Sequence, residues 1–327
     1  MKKHPAIMII SILLLLLIVG ATFAWVLKTQ AAQLRQEEET AARAAAEDIV
    51  TVAGIISAEA ENAAGKAEKM LRRELAADHI YAHRATSGIS LEHSFRQYDE
   101  AISDGARYIE QDIVISGDGT LYVSHDLTAY RLTGVNRAFA DMTDEEIDAL
   151  RTRAGEKTLR LSEVFDRYGR DVDYVIELKS ADRRTIDVFA ALVDQYGFQD
   201  QIIVQCFYLD TLQILEDIYP DMPKLYLVEY AGELDKGYEA PYVDIISVEL
   251  SMMTEGNVNR AHEGGKQFNV WPLTNDGAVF SDAQLRRAID LGVDTYFTDD
   301  VKQAMSIEED YGYENRYKHQ NAGMQDE

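Results

Sequence analysis

From Asp78 onward, short apolar runs alternate with stretches of helical period. The runs are "HIYAH", "ARYIEQDIVI", "VDYVIEL", "QIIVQCF", "KLYLVE", "VDIISVE", "FNVWPLT" and "VDTYFTD". Each is short enough for a strand and too apolar for a connecting loop. The intervening stretches carry helix punctuation: "TDEE" (Thr143–Glu146) and "SDAQ" (Ser281–Gln284) are capping boxes, and Gly292 closes the second of these helices. In that helix Leu285, Ala288 and Ile289 share the face that packs on a sheet. Eight strands alternating with helices predict an α/β fold, a (β/α)8 TIM barrel over residues 78–307 with a small β-hairpin insertion. A doubly wound open sheet shares the same alternation.

The chain opens differently. After Lys2 and Lys3, residues 6–27 form an uncharged apolar run of about 22 residues, enough to cross a hydrocarbon core as a helix. The following flank turns acidic at Glu37–Glu39, so positive-inside logic keeps the N-terminus cytoplasmic and sends the remainder outward. The expectation is a single-pass cell-membrane protein with an anchor over 1–29 and an extracytoplasmic catalytic domain. A cleaved signal peptide ending at "TFA" is the competing reading. Residues 30–77 are rich in Ala and charge and read as a helical stalk, with Ile49, Val52, Ile55 and Ile56 at helical spacing. Residues 308–327 read as a polar tail.

Charge narrows the function classes. With 57 acidic against 32 basic residues, the chain lacks the cationic footprint that nucleic-acid binding requires. Its one cysteine, Cys206, sits in an apolar run and reads as a buried hydrophobe, so disulfides within the chain and thiolate zinc sites are excluded.

The chemistry concentrates at strand ends. In "YIEQDIVISGDGTLYVSHD" Glu110 and Asp112 are two apart on a strand and therefore share a face. If Asp118 and Gly119 are the central residues of the "GDG" turn, Asp112 lies opposite His125; a three-residue turn would shift that register. His83 and Arg84 end the first strand, and Glu177 and Lys179 share a face at the end of "VIELK". Barrel enzymes place their catalytic groups at this edge. His93 and His262 read as helix-surface residues. Glu229 and Glu249 end strands and either line the pocket or serve structure, and Phe207 and Trp271 either pack in the core or meet a substrate.

The order His83-Arg84, Glu92, "YIEQD", "DGTLYVSHD" and "IELK" resembles the glycerophosphodiester phosphodiesterase family over about residues 79 to 305. The resemblance implies that Glu110, Asp112 and Glu177 hold a divalent metal, Ca²⁺ or Mg²⁺, and that His83 and His125 are the general acid/base pair. Arg84 and Lys179 would face the phosphate. Glu92 would tie the site together or contact the glycerol hydroxyls, and Trp271 would form an aromatic wall. The chain departs from the family at Ala85, where Gly is usual after "HR", at "LEHS" in place of "PENT", and at "VWPLTND" in place of "WTVN". Such a site would hydrolyse glycerophosphodiesters to an alcohol and sn-glycerol 3-phosphate, since a hard cation neutralises the diester while histidines move protons. The alternatives are a phospholipase C- or D-like activity on membrane lipids or a polyglycerol-phosphate polymer, and a non-catalytic envelope module that binds phosphodiesters.

Overall fold

The computed structural model describes residues 65–85, 91–272 and 279–318, together with Leu17, Val19 and Thr22. The predicted anchor, apart from those three positions, and the stalk up to residue 64 lie outside the described residues. Among the described residues no helix is long and apolar enough to cross a membrane. Residues 65–77 are helical.

All eight apolar runs become parallel strands of one closed sheet: β1 (Ile80–Ala82), β2 (Tyr108–Ile115), β4 (Asp173–Leu178), β5 (Ile202–Cys206), β6 (Lys224–Val228), β7 (Ile245–Glu249), β8 (Gln267–Trp271) and β9 (Thr295–Thr298). Each pairs with its neighbour in chain order, and β1 pairs with both β2 and β9, which closes the barrel. The ninth strand, β3 (Leu121–Val123), returns antiparallel along β2. Among the described residues, eight helices wrap the outside: α1 (Phe95–Asp104), α2 (Leu161–Tyr168), α3 (Arg183–Tyr196), α4 (Leu209–Ile218), α5 (Leu234–Glu239), α6 (Glu255–Glu263), α7 (Asp282–Asp290) and α8 (Val301–Ile307). The alternation therefore resolves as a barrel and not as an open sheet.

Local chemistry explains the element ends. Both predicted capping boxes form, at Thr143/Glu146 and Ser281/Gln284. Leu285, Ala288 and Ile289 are buried beneath α7, as the spacing requires. Cys206 is buried on the outer side of β5, where its thiol donates to the Leu178 carbonyl at 3.4 Å. A helix-facing core surrounds the barrel wall. A second cluster, Tyr81, Val175, Leu225, Leu227, Ile245 and Phe297, fills the barrel interior. Side-chain parity then sends the next residue along each strand, two positions on, toward the C-terminal mouth. The segment between β3 and α2 closes its own small core around Tyr122, Phe139, Met142 and Ile147.

Two expectations need correction. The hairpin turn has three residues, not two. Ser116 N–H donates to Thr120 O at 2.9 Å, and Gly119 N–H donates to Ser116 O at 3.1 Å. Gly119 takes φ 95°, a conformation a side chain would strain. The ladder therefore pairs Ile113 with Val123, and Ser124 N–H donates to Asp112 O, so Ser124 and not His125 lies opposite Asp112. The described part of the polar tail, Glu308–Lys318, is also not merely solvated. Glu308 is buried and ion-pairs with Arg316 at 3.0 Å, and Arg316 donates to the Val293 carbonyl.

Candidate active site

The C-terminal mouth collects the predicted residues from three neighbouring strands. Asp112 on β2 is in register with Glu177 on β4, which is in register with Gln205 on β5. Inward parity then brings Glu110, Asp112 and Glu177 together: each offers an oxygen within 4.8 Å of the others, and all three are buried. Three buried carboxylates without sulfur or imidazole suit a hard cation bound through oxygen. The residues present thus fit the metal that the sequence pattern implies.

Cations and donors surround this triad. Lys179 Nζ bridges Asp112 Oδ1 at 2.9 Å and Glu177 Oε2 at 2.8 Å. Arg84 N–H donates to Glu110 Oε2 at 2.7 Å, while its Nε lies 3.3 Å from Asp112 Oδ2. Gln205 Nε2 donates to the other Glu110 oxygen at 2.9 Å. Arg84 and Ala85 reach this position with φ of 49° and 48°, and His93 with φ 57°. Left-handed backbone in L-residues costs about 1–2 kcal/mol each, and such strain concentrates where a site is held in place. A glycine after "HR" would take this conformation without strain, whereas here Ala85 holds it at φ 48°.

His93 is the main correction among the side chains. It is buried and not on a helix surface: its Nε2–H donates to Asp112 Oδ2 at 3.0 Å, and its Nδ1 accepts from the Tyr98 hydroxyl at 2.9 Å. His262 does sit on the surface of α6, paired with Asp294 at 2.8 Å. Glu92 is buried between two arginines. Arg131 grips it through both oxygens, at 2.5 and 2.9 Å, and Arg84 reaches it at 3.2 Å. Arg131 continues to Asp126 at 2.7 Å.

The two proposed proton carriers share one design. His83 Nδ1–H donates to Asp299 Oδ1 at 2.8 Å, from just beyond β9. His125 Nδ1–H donates to Asp126 Oδ1, also at 2.8 Å. A carboxylate accepts only, so each contact fixes the tautomer and leaves Nε2 as the basic nitrogen. Trp271 ends β8 in register with Glu249; its ring packs against the interior cluster, and among the described residues its buried Nε1 has no hydrogen-bond partner.

Environment separates the titrations. Burial, then the Asp112 charge, raises Glu110 well above the usual carboxylate range. Burial raises Glu177 to about 8, with Asp112 adding to the shift against Lys179. Burial opposes ionisation of Asp112 too, but Lys179, the His93 hydrogen bond and Arg84 outweigh it and hold the group well below 3.8. Burial lowers His125 to about 4, reinforced by Lys179 and Arg84 and opposed by Asp112 and Asp126, so its imidazole is neutral at pH 7. His93 is lowered by burial as well.

Sequence reasoning missed Gln205, Asp299, Arg131 and the role of His93. Gln205 alone carried a usable signal, since its inward parity follows from its place in the run "QIIVQCF".

Comparison with known proteins places these features in context. The model of the "Glycerophosphoryl diester phosphodiesterase family" matches residues 83–303. A glycerophosphodiester phosphodiesterase of Caldanaerobacter subterraneus is 28% identical over 242 residues, covering 70% of this chain and 96% of the relative. A second, from Bacillus subtilis, is 26% identical over 245 residues, covering 66% and 82%. The crystal structure of a glycerophosphodiester phosphodiesterase from Agrobacterium tumefaciens superposes with a TM-score of 0.60 at 25% identity, covering 70% of this chain and 98% of that one. An Oleispira antarctica phosphodiesterase, solved in complex with the product sn-glycerol-3-phosphate, shares the fold with a TM-score of 0.61 at 20% identity, covering 70% and 96%.

Proposed function

The chain belongs to the glycerophosphoryl diester phosphodiesterase family, and from that premise we propose that it hydrolyses glycerophosphodiesters to an alcohol and sn-glycerol 3-phosphate. The observation that carries this reading is the buried triad Glu110, Asp112 and Glu177, flanked by two cations and by two histidines that each rest on an aspartate. The product in the Oleispira antarctica complex is the one this reaction would release.

In this reading the triad holds Ca²⁺ or Mg²⁺, which supplies Lewis acidity and offsets the charge of the diester. Arg84 and Lys179 orient the phosphoryl oxygens. The free Nε2 atoms of His83 and His125 stand for the two proton transfers, one taken from the attacking oxygen and one given to the leaving alkoxide, each typically worth about 10²–10⁴-fold. A neutral His125 is ready to accept a proton at physiological pH. Glu92 orients Arg84 and Arg131 from beneath, and Trp271 lines the mouth. The apolar run at 6–27 supports a membrane-anchored protein with this domain outside the cytoplasm; protease protection of right-side-out vesicles tests that topology.

The direct test follows glycerol 3-phosphate release from glycerophosphocholine and glycerophosphoglycerol after chelation and after return of Ca²⁺ or Mg²⁺. Turnover that needs metal and is lost in His83→Ala and Glu110→Gln supports the proposal. Metal binding without turnover on any glycerophosphodiester refutes it.

A further inference from the structure

Three side chains hold the carboxylate of Asp112. Lys179 Nζ meets its Oδ1 at 2.9 Å, while Arg84 Nε stands 3.3 Å and His93 Nε2 3.0 Å from its Oδ2. In the hydrolytic reading the two cations also face the phosphate, so they divide their hydrogen bonds once a diester enters. His93 has no such second duty. Its side chain is 2% exposed and is spent on Asp112 at one end and Tyr98 at the other.

The ring is fixed from several directions. His93 N–H donates to Arg84 O at 3.1 Å, which ties its backbone to the residue whose own amide grips Glu110. The next residue, Ser94, caps α1 by accepting from the Gln97 amide, so the imidazole leaves the chain at the anchored start of a helix. Tyr98, fully buried on the first turn of that helix, places its hydroxyl 2.9 Å from Nδ1. The same hydroxyl is 3.4 Å from the Glu110 carbonyl, so the nearer imidazole nitrogen takes the phenolic hydrogen. An imidazole that accepts at Nδ1 carries its own hydrogen at Nε2, and that hydrogen is aimed at Asp112. The backbone of His93 is held at φ 57° to make this contact, a conformation that persists only where the surroundings over-determine it.

Resting on the metal site of the reading above, we infer that His93 is a positioning residue: backed by Tyr98, it fixes the orientation of Asp112 and so sets the affinity of the triad for a divalent cation. One departure of "LEHS" from "PENT" falls on this residue, with His93 in the place of Asn. The two side chains are not equivalent in this geometry. The amide nitrogen of an Asn would overlay Nδ1, on the Tyr98 side, and stop short of Asp112. That of a Gln would overlay Nε2 and reach the carboxylate as a donor.

The test titrates Ca²⁺ and Mg²⁺ into the chelated full chain in mild detergent, by calorimetry at one fixed pH. His93→Asn is expected to weaken binding about 10–100-fold, and His93→Gln to stay within about threefold of the wild type. Asn accepts left-handed backbone at low cost, so His93→Asn should unfold in urea no earlier than the wild type, which separates lost positioning from a lost fold. Tyr98→Phe should cost about three- to tenfold in affinity, and nothing further in the His93→Gln background, where no imidazole remains to be oriented. Affinity within threefold of the wild type in His93→Asn, or a folded His93→Gln as weak as His93→Asn, overturns the inference. A Tyr98→Phe loss that persists in the His93→Gln background removes Tyr98 from it. Turnover of glycerophosphocholine is followed on the same proteins. The expected order of affinities without turnover in any of them would sink the hydrolytic reading and sustain the role of His93. A wild-type chain that binds neither cation overturns that role together with the metal site.

Discussion

The affinity of the triad for a divalent metal should depend steeply on pH, because two of its three carboxyls resist ionisation. The perturbation is a metal titration of chelated protein between pH 6 and pH 9. With Glu177 raised to about 8, about 1% of it is ionised at pH 6, about a tenth at pH 7 and most of it at pH 9. Each pH unit below 8 then costs about tenfold in apparent affinity, or about 1.4 kcal/mol, so pH 6 should bind about 100-fold more weakly than pH 9. Glu110, also raised, steepens the slope, whereas Asp112 is already ionised and adds nothing. Calorimetry in buffers of different ionisation enthalpy should show at least about one proton released per metal at pH 7, from Glu177, with any further release coming from Glu110. Folding of the chelated protein should show the opposite sign. A carboxyl raised in the folded state contributes stability fully present below its unfolded value near 4.5, and that contribution is lost as pH rises through 8. The chelated barrel should therefore weaken from pH 4.5 to 8, and metal should restore it. An affinity flat within threefold from pH 6 to 9, without proton release, refutes the reasoning.

Three further outcomes are expected. Asp299→Asn should lower kcat by about 10²-fold or more with little change in KM, since it frees the tautomer of His83 without touching the phosphate contacts; an unchanged kcat removes Asp299 from the site. Gln205→Ala should weaken metal binding about 10–100-fold by freeing one Glu110 oxygen, and calorimetry at fixed pH reads this directly. Ala85→Gly should be neutral to stabilising by up to about 1 kcal/mol, because relief of its positive φ offsets the greater chain entropy of glycine. Urea unfolding checks it against Ala288→Gly in α7, which should cost about 1 kcal/mol or more.

The parts of this molecule written in local periodicity were legible in the sequence. Eight apolar runs gave eight barrel strands, and the two capping boxes formed where their spacing required. The carboxylate triad was legible by resemblance, and parity explains why Glu110 and Asp112 share a face. The hairpin register was not, because it turned on whether Ser116 would bond to Thr120 and lengthen the loop by one residue. His93 looked like surface because nothing near it in the chain marks a burial site; Asp112 and Tyr98 make it one. Arg131 acquires its role across 39 residues, a distance at which a sequence carries no local trace of a contact, and the parity of Gln205 gave its direction but not its partner Glu110, 95 residues away.

The contact between His83 and Asp299 spans 216 positions and joins the first strand to the last. In the proposed mechanism a proton carrier that needs its orienting carboxylate is thus incomplete until β9 docks against β1. As the chain is synthesised, the triad on β2 and β4 can gather early, but the proposed acid/base pair waits for the final turn of the barrel. On that proposal catalytic competence and ring closure become one event, so a stalled or truncated chain would be inert and not half-active. The seam of the fold serves as its own quality check.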